Sequence, residues 1–170
     1  MNKQIYKYAN LQKIKGFTIV ELLIYMSLMG IFLIVLLDIF TTTINSKLSG
    51  ESTSVLNQDS RYILSKLSYD ISNADSVVTP TLGSTNNSLQ LITSGITYTY
   101  ASGSGNFVKT VSGVTMSLNG TDTYLDDLTF KNIGNVSGKS TIQISYTLHS
   151  KITVFNGTST QKTNTTVGLR

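Results

Sequence analysis

Residues 17–37 (FTIVELLIYMSLMGIFLIVLL) form an apolar run broken by a single charge, Glu21. A helix of this length spans roughly 30 Å, enough to cross the hydrocarbon core of a bilayer. The run holds no proline, and its interior Gly30 costs a helix only about 1 kcal/mol, so lipid is expected to keep it helical. Past Asp38 the pattern changes: Thr41–Thr43 and the stretch from Ser46 to Ser54 are polar and of low helix propensity, which predicts fraying or a bend. Helical periodicity then resumes, with Leu56, Ile63, Leu67, Ile71, Ala74 and Val78 at spacings of three, four or seven. That stripe predicts an amphipathic helix with one face on a sheet. Pro80 closes the helical region, because the residue before a proline is pushed toward extended conformations.

From Val77 onward, short runs of Val, Ile, Thr, Tyr and Phe alternate with Gly, Asn and Ser clusters. Strands are expected at Leu89–Thr93, Ile96–Tyr100, Phe107–Val111, Val114–Leu118, Asp127–Lys131, Thr141–His149 and Ile152–Phe155, with another near Thr165–Leu169. The run from Thr141 to Leu148 alternates polar and apolar residues strictly, so one face is buried and the other wet. Turns are expected at Gly83, Gly103–Gly105, Asn119-Gly120, Gly138 and Asn156-Gly157, the two Asn-Gly pairs favouring tight hairpins. The fold class is α+β: a long N-terminal helix, membrane-spanning in its first half, followed by a mainly antiparallel β-sheet domain. The expected divisions are a basic leader (1–16), a transmembrane helix (17–40), an amphipathic continuation (41–76) and an extracytoplasmic β domain (77–170).

Charge changes the picture by its location. The formal net charge of +4 resides entirely in Met1–Gly16, where Lys3, Lys7, Lys13 and Lys15 stand without an acid. The remainder is formally neutral, which argues against a nucleic-acid surface, since phosphate binding needs clustered cations. A basic segment ahead of an apolar run places the N-terminus in the cytoplasm and the rest outside. With no cysteine and a single histidine, His149, disulfides, thiolate metal sites and cysteine nucleophiles are excluded. No nucleophile–base pair, metal box or phosphate-binding glycine loop is present, so no enzyme and no cofactor is expected.

Two features disagree with a cleavable secretory signal. The apolar run is too long and ends in Leu36-Leu37-Asp38 without an A-x-A-like site. Glu21 is the second: a carboxylate inside a membrane helix costs a few kcal/mol and wants a partner, yet no cation lies within one turn of it inside the helix.

The segment Lys15-Gly16-Phe17-Thr18-Ile19-Val20-Glu21-Leu22-Leu23 resembles the class III signal of bacterial type IV pilins and of the pseudopilins of type II secretion and competence systems. The resemblance implies cleavage between Gly16 and Phe17 by a membrane-embedded prepilin peptidase, N-methylation of Phe17, and pairing of Glu21 with the α-amino group of a neighbouring subunit's Phe17. It also implies an inner-membrane assembly platform, sibling subunits and membrane lipid as partners, and a filament at the cell surface or in the periplasm. Arg61–Ala74 is similar to the helix preceding the β domain in J-type minor pseudopilins and W-type minor pilins, and Thr166–Arg170 to how such chains end. Two departures are plain. The proline that usually follows the apolar run is missing, and so is the cysteine pair of many major pilins.

Asn119, Asp122, Asp126 and Asp127 (NGTDTYLDD) offer oxygen ligands suited to Ca²⁺, although the spacing is not that of an EF-hand and a solvated turn is the plainer reading. His149 is expected to be an exposed strand histidine. The leading expectation is a prepilin subunit, of the minor or tip kind, that polymerises through its helix. The competing one is a single-pass, signal-anchored surface domain that binds a ligand and never polymerises.

Overall fold

The computed structural model describes residues 16–136, 138–155 and 157–170. Lys3, Lys7, Lys13 and Lys15 of the leader, and Asn156 of the second Asn-Gly turn, lie outside the described residues. The chain divides into two compact units, one ending at Thr42 and one covering Thr43–Arg170.

The first unit is helical from Ile19 and contributes the opening part of α1 (Ile19–Ser72). Among its described residues the side chains are exposed, Glu21 alone being half-covered. An 18-residue window of mean hydropathy 2.6 has none of its residues buried within the protein. Such a surface is unstable in water and requires an apolar surrounding.

The second unit holds the rest of α1 and two antiparallel sheets. The first sheet has the order β1 (Ser76–Thr79), β3 (Leu89–Thr93), β4 (Ile96–Gly103), β5 (Asn106–Val111), β6 (Val114–Ser117). The second has the order β2 (Thr85–Asn86), β7 (Thr123–Asn132), β8 (Thr141–Val154), β9 (Gly157–Gly168). The chain is thus α+β as expected.

The Thr41–Thr43 and Ser46–Ser54 stretch is helical, not frayed. Hydroxyls that could compete with the backbone instead bond back onto it, Thr41 Oγ1 to Asp38 O at 3.0 Å and Thr53 Oγ1 to Ser49 O at 2.9 Å. Burial of Ser52, Leu56, Ser60, Ile63, Leu67 and Ile71 then holds the helix in place. Ser60 fills the seven-residue gap in the apolar stripe: its hydroxyl lies 3.3 Å from Tyr146 Oη and 3.2 Å from Thr163 Oγ1. Val78, which the periodicity counts into the stripe, lies on β1 and is exposed, because α1 ends at Ser72.

Leu89, Leu91, Tyr100 and Phe107 from the first sheet meet Phe130, Ile142, Ile144, Tyr146 and Leu148 from the second in one core. Phe107 is at its centre, edge-on to Tyr100 (6.4 Å), Phe130 (6.3 Å) and Tyr146 (5.9 Å). Each such buried side chain contributes about 1.5–3 kcal/mol. Along β8 burial alternates strictly from Thr141 to Ser150, as the sequence pattern requires.

Of the expected turns, Gly103–Gly105 forms a tight hairpin and Gly157 opens β9 just after the β8–β9 connection, whereas Asn119-Gly120 makes no hairpin. Ser94-Gly95, Ser104-Gly105 and Ser112-Gly113 link β3–β4, β4–β5 and β5–β6, each with positive φ at both residues, the geometry that matches strand twist. Asn119-Gly120 is instead the crossing from β6 in one sheet to β7 in the other. Asn119 is buried there: its Oδ1 accepts from Phe107 N (2.8 Å) and Ser117 Oγ (3.2 Å), and its Nδ2 donates to Thr123 O (3.1 Å). Asp59 of α1 clamps the same crossing by accepting from Gly120 N (2.8 Å) and Thr123 Oγ1 (2.5 Å).

Candidate functional site

The helix start is built by Thr18. Its Oγ1 accepts from Glu21 N at 3.2 Å, and its carbonyl accepts from Leu22 N at 3.1 Å, the pattern of an N-cap followed three residues later by Glu. A carboxylate at this position also faces the positive end of the helix dipole. The cap therefore accounts for part of Glu21's tolerance in an apolar run.

Tyr25, one turn further, supplies the donor that sequence inspection for cations passes over. Its hydroxyl donates to Glu21 Oε1 at 3.2 Å. The Phe17 ring stands edge-on to the Tyr25 ring at 6.0 Å. Glu21 and Tyr25 thus share one helix face at i and i+4, with the Phe17 ring, just ahead of the helix, against Tyr25. Tyr25 satisfies one lone pair of the carboxylate and brings no positive charge, so the electrostatic requirement for a cation persists.

Gly16 lies just before the helix, and a Cβ added there would meet nothing among the described residues. The same holds for Gly30. Among the described residues, packing requires neither glycine.

The four calcium candidates do not converge on one point. Asn119 spends its side chain on the β6–β7 crossing, as above. Asp126 Oδ1 accepts from Asp127 N at 2.9 Å, and Asp126 Oδ2 lies 3.9 Å from His149 Nε2. Asp127 takes a positive φ of 53° at an irregularity in the β7–β8 pairing, and Asp122 sits in the turn ahead of β7, its carbonyl accepting from Lys151 N at 2.8 Å. Among the described residues, no group of three or more His, Cys, Asp or Glu is disposed to hold a metal ion. His149 is partly covered, stacked on Tyr124 with ring centroids 4.7 Å apart.

A second polar cluster, missed in the sequence, ties α1 to the first sheet. Asp70 accepts from Lys109 Nζ at 2.6 Å and from the Tyr100 hydroxyl, and Lys66 Nζ stands 3.8 Å away. Lys109 is only 4% exposed and lies 4.5 Å from the centre of the Tyr98 ring. Burial, and next the hydrogen bond to Asp70, push the Tyr100 phenol well above its ordinary range. Asp70 lies 30 and 39 positions from Tyr100 and Lys109, so the cluster ties α1 to the first sheet.

An uncovered apolar helix with a capped start and an embedded carboxylate fits a membrane anchor. Residues 11–37 match the family model described as the prokaryotic N-terminal methylation motif. That motif is the class III prepilin signal, and it supports a prepilin-type subunit of the type IV pilin and pseudopilin kind. No curated protein and no solved structure gives a significant match.

Proposed function

We propose that the protein is a minor or tip prepilin of a type IV pilus or of a type II secretion or competence pseudopilus. Prepilin peptidase cleaves it between Gly16 and Phe17 and methylates the new Phe17 amine. The N-terminus begins in the cytoplasm and the β domain outside. The helix then passes, with the help of an inner-membrane platform, from lipid into a filament of sibling subunits. The observation that carries this reading is Glu21: a carboxylate in an apolar helix, capped by Thr18 and touched by Tyr25, with no cation within one turn of it in the helix. The α-amino group of a neighbouring subunit's Phe17 would supply that cation. At about 4 Å in a medium of low dielectric the attraction is large, and an unpaired charge there stays penalised. The same contact fixes the axial register between helices.

The test is incorporation of Glu21→Ala and Glu21→Val into filaments beside the unaltered protein. Both variants are expected to be processed normally and to be strongly depleted from filaments. Normal incorporation would refute the pairing. A signal-anchored domain that never polymerises would be found in the membrane fraction and never in filaments.

A further inference from the structure

The β8–β9 hairpin ends in an apolar tip for which the second unit offers no cover. Phe155 is 88% exposed, and Ile152 and Val154 beside it are only partly buried. β8 reaches this tip past the point where its pairing with β7 stops, at Thr123 opposite Ser150. Lys151 N still donates to Asp122 O at 2.8 Å, and beyond it Thr153 and Val154 pair with β9 alone, a two-stranded end carrying an aromatic residue into solvent. An exposed aromatic ring flanked by partly buried aliphatic residues makes this tip a candidate contact.

The position of the tip identifies the contact. Val154, Phe155, Gly157, Thr158 and Ser159 line a cleft together with Asn45 and Ser49 of α1. At the other end of the sheet Leu169 N donates to Ser140 O and Arg170 N to Ser72 O, so β9 runs back along α1 toward its C-terminal end. The hairpin tip therefore lies at the membrane-proximal end of the second unit's helix. Asn45 is five positions beyond Phe40, about 8 Å at helical rise and about 17 Å at full extension. That length of chain lets the tip reach the headgroup layer beyond the apolar run. An aromatic residue flanked by aliphatic ones at that level matches the chemistry of the membrane interface, where aromatic rings concentrate.

We propose that the β8–β9 hairpin tip, led by Phe155, seats in the lipid headgroup layer while the subunit resides in the bilayer. It is a second membrane contact besides the helix, and it rests on the reading of residues 17–40 as the span. It orients the β domain on the membrane before assembly, and extraction of the subunit must break it.

The chain contains no tryptophan, so a single introduced indole reports without background. Full-length protein carrying Phe155→Trp, Val136→Trp or Phe32→Trp is reconstituted at low protein-to-lipid ratio into phosphatidylcholine–phosphatidylglycerol vesicles, with and without bromine high on the acyl chains. Val136 is exposed to the same degree, 87%, but precedes β8 at the end opposite the hairpin tip, and Phe32 lies within the span. The expected result is fluorescence lowered at least about twofold by brominated lipid at positions 32 and 155, and unchanged at 136. Quenching at 32 with none at 155 overturns the proposal and leaves the span intact. Absence of quenching at 32 overturns the span and the proposal with it. A blue shift at 155 that grows with protein-to-lipid ratio but resists bromine assigns the tip to a second copy of the chain, and also overturns it.

Discussion

The Tyr25 hydroxyl donates to the Glu21 carboxylate at 3.2 Å, one turn back along the same helix. In a hydrocarbon surrounding the two residues act as one polar unit, with Tyr25 fixing the direction in which the remaining carboxylate oxygen faces. A hydrogen bond to a charged group contributes about 1.5–3 kcal/mol. Tyr25→Phe keeps the ring against Phe17 and removes the donor. Its incorporation into purified filaments is expected to fall by roughly tenfold, less than for Glu21→Ala, with processing unchanged; equal incorporation to the unaltered chain would mean Tyr25 plays no part.

Gly16 has open space around its Cα among the described residues, so the fold tolerates a side chain there. Gly16→Leu is expected to keep the thermal stability of the parent and to block cleavage by prepilin peptidase. Loss of stability, or efficient cutting of the variant in an immunoblot for the shortened chain, would contradict that separation.

Asp70 and Lys109 form a buried pair whose single removal leaves an uncompensated charge. Asp70→Ala is expected to cost about 3–5 kcal/mol, lowering the melting temperature of the detergent-solubilised chain by roughly 10 °C. Lys109→Met is expected to cost less, because Tyr100 and Lys66 still face the carboxylate.

Tyr100 and Tyr146 both hold their protons more tightly in the folded chain than an ordinary tyrosine, chiefly through burial. A group whose folded value is raised stabilises fully below its unfolded value and less as pH rises past it. Melting temperature should therefore fall as pH rises beyond about 10, where unfolded tyrosine ionises. Tyr100→Phe should flatten that decline in melts between pH 8 and 11; an unchanged slope would count against the assignment.

Ser52 is fully buried, and its hydroxyl has no hydrogen-bond partner in the structure. Ser52→Ala removes that unsatisfied group and improves helix propensity. A gain of about 0.5–1 kcal/mol is expected in denaturant titration.

The parts of this fold written in local sequence were legible there. The apolar run, the stripe from Leu56 to Ala74 and the alternation of β8 each state one periodicity plainly, and the core formed as they require. Departures arose where long-range contact overrides local preference. Thr and Ser around Thr43–Ser54 are weak helix formers, yet side-chain bonds back to the helix and burial of Ser52 and Leu56 keep the segment helical. Asn119-Gly120 has hairpin chemistry, but the Asn119 side chain is taken up by Phe107 and Thr123 across the two sheets. Of the candidate site, Gly16, Phe17 and Glu21 are visible as a motif, whereas Tyr25 carries no charge and its hydroxyl stands out as a partner of Glu21 only in the folded helix. The Asp70, Lys109 and Tyr100 cluster joins residues 30 and 39 positions apart and has no local signature.

The central claim is that residues 1–16 are a leader and that Phe17 becomes the working N-terminus. Intact-mass and N-terminal peptide mass spectrometry of the protein co-expressed with a prepilin peptidase tests it most directly. The account predicts a chain beginning at N-methylated Phe17. A chain retaining its leader through Gly16, with no methylated Phe17, would contradict it.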